Sequence, residues 1–182
     1  MNNKAEEKSR HNDRASLFLF LAHLWDYPRP ELISKSKEIF ASLGLETPEK
    51  AFEMDEALEA EYVRLFINAP DGVPAAPYAS VQLTGLMSQQ PAEQALAFYH
   101  QAGLIPNTAE PADHLSTELA FVAHLLKEGR YALLKSFLQE HLLKWFPLFR
   151  KSLEQAEPHP FYRLLVEVTE KALGNLKEEV ET

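Results

Sequence analysis

Leu115, Leu119, Val122 and Leu126 stand at i, i+4, i+7 and i+11, so an α-helix gathers all four on one face. The same spacing recurs along the chain. Leu17, Phe18, Leu21, Leu24 and Trp25 form one such stripe, and Pro28 ends it. Tyr131, Leu134, Leu138, Leu142 and Trp145 form another, closely joined to the Leu115 stripe across Gly129. Phe161, Leu165, Val168, Ala172 and Leu176 form a last one. With only six glycines and few β-branched runs, nothing in between argues for strands. The predicted fold class is all-α, a single-domain helical bundle of about seven to eight helices.

The weaker stretches complete that count. A helix is predicted from about Pro30 to Leu43, stopping at Gly44, and another from about Pro48 to Phe66. Helix resumes near Pro91 and ends at Gly103; a further one opens at Pro111, and Pro147 starts a shorter one. Between them, residues 67–85 carry Pro70, Gly72, Pro74, Pro77 and Gly85 without a helical period. A proline-rich hinge loop of that length inside a compact domain is usually functional or mobile. It would also permit exchange of helices between two copies, so a monomer or a domain-swapped dimer is expected. The polar ends, about 1–13 and 177–182, are expected to fray.

Composition removes several function classes. The net charge of −9 over 182 residues leaves no basic face for nucleic acid. No cysteine is present, which excludes disulfides, thiolate metal sites and cysteine nucleophiles. The run Leu17–Trp25 is too short to span a bilayer, and the first residues lack the apolar centre of a secretory signal, so a cytoplasmic protein without stable membrane insertion is expected. There is no nucleophile elbow and no glycine-rich phosphate loop, so neither an enzyme nor a cofactor is expected. His23, His100 and His141 read as core or boundary residues.

Asp113-His114 admits three readings. Asp113 charges the first turn of a helix with His114 beside it; or Asp113, His114 and Glu118 supply metal ligands for an assisted hydrolysis; or the pair lines a recognition groove. Leu65 reads as core at a helix end. Phe66 and Tyr78, next to the proline-rich loop, read as the wall of an apolar groove, since aromatic side chains bury much area with few rotors. The acidic run Asp55, Glu56, Glu59 and Glu61 is a solvated face or an attractor for arginines.

Three motifs in this order carry a family likeness: Glu61-Tyr62-Val63-Arg64-Leu65-Phe66, then Pro77-Tyr78-Ala79-Ser80-Val81, then Glu110-Pro111-Ala112-Asp113-His114-Leu115 with Glu118-Leu119. Phe137–Leu142, Trp145–Phe149 and Phe161-Tyr162 continue it. In them the chain resembles the molybdoenzyme-specific chaperones typified by the TorD, DmsD and NarJ proteins, also called redox enzyme maturation proteins. Ala76 and Ala69 depart from the family pattern, which often has a second proline and a glycine there. The resemblance implies an all-helical cytoplasmic protein that binds the apo-form of a molybdopterin oxidoreductase catalytic subunit. Contact would be through its twin-arginine leader or another segment, held until cofactor insertion. It implies peptide-binding roles for Leu65, Phe66, Pro77, Tyr78, Asp113 and His114. A generic helical adaptor using the same groove is the alternative.

Overall fold

Apolar stripes at helical spacing must be covered, and the chain covers them by packing helices around one another. The computed structural model describes residues 2–69, 72–87, 89–105 and 111–181. Pro70 and Glu110, singled out above, lie outside the described residues. Those residues hold nine α-helical segments and only an isolated bridge of β type: α1 (Asn2–Leu24), α2 (Pro30–Ser42), α3 (Glu56–Tyr62), α4 (Ala79–Thr84), α5 (Gln89–Gln101), α6 (Leu115–Lys127), α7 (Tyr131–Phe137), α8 (Leu143–Gln155) and α9 (Pro160–Glu181). A π turn, Leu138–Leu142, joins α7 and α8 into one long rod, and a second, Val63–Ile67, extends α3. The all-α bundle read from the stripes is borne out.

The centre is α6. It buries Leu115, Leu119, Phe121, Val122, Leu125 and Leu126, so it is apolar on most sides, as a central helix has to be. Helix α1 lies along it with the most extensive contact of any described pair, bringing Phe18, Leu21 and Trp25. Each such fully buried side chain contributes about 1.5–3 kcal/mol of transfer free energy. Helix α9 closes the other side against α1, α7 and α8. Trp25 anchors the junction: its Nε1 donates to Thr169 Oγ1 at 3.1 Å, and its ring meets Phe149 edge-on at 5.2 Å. The indole thereby buries its surface without leaving its donor unpaired.

The glycine stops hold. Gly44, Gly103 and Gly129 have φ of 81°, 78° and 65°, the left-handed conformation that ends a helix and strains any other residue.

Several boundaries differ from expectation. Pro48 does not open a helix running to Phe66: a 3₁₀ turn, Glu49–Phe52, buries Ala51 and Phe52, and α3 starts afresh where Asp55 caps it, accepting the Leu58 N–H at 2.9 Å. The segment 67–85 is not all loop, because α4 forms inside it. Pro111 is not the first helical residue; α6 begins at Leu115. Pro147 sits inside α8 rather than at its start. A proline ring there presses on the carbonyl four residues back. That residue, Leu143, leaves the π turn with ψ of −4°, which swings its carbonyl out of line. At the ends, α1 runs from Asn2 and α9 to Glu181.

Candidate peptide-binding groove

The site is built on a short stitch between two distant segments. Leu115 N–H donates to Pro77 O at 2.9 Å and Ala79 N–H to Asp113 O at 3.0 Å, an antiparallel bridge centred on Tyr78 and His114. Asp113 reinforces it with its side chain, Oδ2 accepting the Ser80 N–H at 2.8 Å in the first turn of α4. His114 caps α6, Nδ1 accepting the Ser116 N–H at 3.2 Å. Ahead of the stitch, Ala75 N–H donates to Leu65 O at 3.1 Å, tying the loop to the end of α3. Gln82 fastens α4 in two directions, donating to Ala76 O at 2.8 Å and accepting from Ser152 Oγ on α8 at 3.1 Å.

On the outer side of this stitch lies a groove of about 580 Å³. Its lining includes Phe66, Ile67, Val73, Tyr78, Leu86 and Met87 and, among the described residues, no charged side chain. Gly85, with φ of 78°, ends α4 and turns the chain so that Leu86 and Met87 border the opening. Ile67, Leu86 and Met87 are exposed apolar residues along it. Behind the groove, Phe66 belongs to an aromatic cluster, with Tyr62 and Tyr162 each at 5.2 Å, so its wall is rigid.

The six sequence-selected residues separate into two groups. Phe66 and Tyr78 line the groove; Tyr78 is half-buried, its ring edge-on to His114 at 4.9 Å. Leu65, Pro77, Asp113 and His114 are buried, and none of them lines it. The acidic run is likewise occupied in part. Glu61 accepts from Arg64 Nε at 2.6 Å and from His159 N–H at 2.9 Å, while the Arg64 guanidinium donates to Ala156 O at 3.0 Å. Burial pushes the Glu61 carboxyl up, but these hydrogen bonds outweigh it and hold it below its ordinary value. The Glu61–Arg64 pair therefore clamps α3 to the turn before α9, and Glu56 remains exposed on the outer face.

Asp113, His114 and Glu118 are each engaged elsewhere. Glu118 is fully buried and accepts from His141 Nε2 at 2.7 Å and Trp145 Nε1 at 3.0 Å. Burial raises its carboxyl above the ordinary range, and the His141 and Trp145 contacts only partly offset that. Among the described residues no group of three or more His, Asp or Glu side chains is arranged to hold a metal ion. The Glu118–His141–Trp145 cluster escaped the sequence reading, although a signal was there. Glu118 falls on the same face as Leu115, Leu119 and Val122, and a carboxylate on an apolar stripe demands partners. His23 and His100 are exposed, so only His141 of those three is a core residue.

The structure is an all-helical bundle with a groove beside the Tyr78–His114 stitch whose lining, among the described residues, carries no charged side chain. Residues 30–151 match the family model described as the nitrate reductase delta subunit, and the chain belongs to that family. It is 34% identical over 138 residues to the chaperone protein TorD of Salmonella bongori, covering 75% of this chain and 64% of that one. To TorD of Photobacterium profundum it is 31% identical, covering 58% of this chain and 55% of the relative. The chain thus spans between about half and two-thirds of the length of these curated relatives. Its structure is similar to a crystal structure from Archaeoglobus fulgidus described as a redox enzyme maturation protein, with a TM-score of 0.60, 26% identity, and coverage of 93% and 94% of the two chains. The resemblance drawn from the motifs is borne out.

Among the described residues no helix is long and apolar enough to cross a membrane.

Proposed function

We propose that this protein is a cytoplasmic chaperone for a molybdopterin-dependent oxidoreductase, and that it docks an apolar stretch of the client's twin-arginine leader in the Phe66–Tyr78 groove. The observation that carries the reading is the groove itself, lined among the described residues by no charged side chain, bordered by exposed Ile67, Leu86 and Met87 and built on the motifs that carry the family likeness. A leader presents arginines followed by an apolar run. The run gains transfer free energy in the groove, and the net charge of −9 favours the cationic end over the general surface.

Isothermal titration with a synthetic twin-arginine leader tests this. The leader is expected to bind, and replacing its apolar run with serines should abolish detectable heat. Tyr78→Ala removes one wall of the groove and should weaken binding by about 1–2 kcal/mol, roughly five- to thirty-fold. Equal binding of the native and serine-substituted leaders would overturn the proposal.

A further inference from the structure

We infer that Asp113 is a positioning residue: it shapes the groove by holding α4 in place and does not ion-pair with the client. The inference rests on the docking proposal above and assigns one residue within it. Asp113 is fully buried. Its backbone carbonyl accepts from Ala79 N–H and its Oδ2 from Ser80 N–H, at 3.0 and 2.8 Å. Both donor residues, Ala79 and Ser80, are themselves fully buried.

Helix α4 has six residues, too few to persist without outside support. Asp113 supplies that support at its start. From there the hold passes to the groove: the Thr84 hydroxyl lies 2.8 Å from Ser80 O and 2.9 Å from Leu86 O and shares its single hydrogen between them, and Ser80 Oγ lies 3.8 Å from Met87 Sδ. Leu86 and Met87 are the groove's border. A client guanidinium would reach the carboxylate only by opening the layer that covers it. The remaining oxygen, Oδ1, is buried and has no hydrogen-bond partner among the described residues.

The test is a double-mutant cycle on the full chain. Asp113→Ala and Asp113→Asn are titrated with a twin-arginine leader and with the same peptide carrying glutamines for both arginines. Asparagine keeps a carbonyl oxygen for the Ser80 N–H and loses the charge. Positioning predicts that Asp113→Ala weakens both peptides by the same factor, about tenfold or more, while Asp113→Asn changes either by less than about threefold. Amide exchange over residues 79–84 should accelerate in Asp113→Ala and stay slow in Asp113→Asn. A loss in either variant that vanishes with the glutamine peptide means a direct ion pair and overturns the inference. Should Asp113→Ala not fold, Asp113→Asn decides alone by the same criterion. If the unaltered protein binds neither peptide, the docking proposal fails, and exchange still judges Asp113: unchanged protection of residues 79–84 in its alanine variant overturns the inference.

Discussion

Leu86→Ser separates docking from folding most cleanly. Leu86 lines the groove with 73% of its surface exposed, so the fold has drawn on only about a quarter of its apolar area. Complete burial of a leucine contributes about 1.5–3 kcal/mol, which leaves roughly 1–2 kcal/mol to be gained when a client covers it. Serine forgoes that gain. The leader's dissociation constant should rise roughly five- to thirty-fold, with the change mostly in the off-rate. Stability should move by less than about 0.5 kcal/mol, because the side chain touches little in the free protein. The backbone contacts of Leu86 with Thr84 Oγ1 do not involve the side chain and are preserved. Calorimetric titration with the leader and a urea midpoint measured on the same sample give both numbers. An unchanged dissociation constant would mean that no client covers Leu86. Loss of affinity in step with loss of stability would mean that the residue serves the fold.

Two further substitutions probe the scaffold. Glu118→Ala strands the His141 and Trp145 donors and should cost about 2–4 kcal/mol, whereas Glu118→Gln keeps acceptor and donor capacity and should stay within about 1 kcal/mol at neutral pH. Because the folded carboxyl titrates higher than in the unfolded chain, its contribution to stability is present at low pH and lost as pH rises through the folded value. The stability of Glu118→Gln relative to the unaltered protein should therefore be greatest at alkaline pH and shrink on acidification; urea midpoints that diverge the other way would refute the assignment. Asp55→Ala removes the cap of α3 and should cost about 1 kcal/mol in urea unfolding while leaving leader affinity within about twofold.

What could be read from the sequence is what repeats. The Leu115–Leu126 stripe restates the helical period over several turns, so α6 was certain before its neighbours were known, and Gly129 marked its end by a local backbone demand. Tyr78 and Phe66 drew notice as aromatics beside a proline-rich loop, but the sequence did not show that Phe66 is buried in a cluster with Tyr62 and Tyr162 and reaches the groove only from its wall. What could not be read depends on partners far along the chain. Asp113 looked like the first-turn acid of a helix starting at Pro111, yet its oxygen belongs to Ser80, thirty-three residues earlier. Helix α6 therefore begins only after the stitch has released the backbone. Leu86 and Met87 gave no period, since two residues after a glycine belong to no element, and only the fold shows what they border.

The π turn at Leu138–Leu142 has a consequence for how one rod serves two sets of neighbours. An extra residue in a single turn advances the phase of everything beyond it by roughly 100°. Helix α7 before it leans on α9, whereas α8 after it meets α4 as well, and His141 falls at the changeover where it faces Glu118. Without that offset, a straight rod facing α9 throughout would turn Trp145 and Phe149 away from Glu118 and Trp25. The groove's far support, through Ser152 and Gln82, would lose its footing with them.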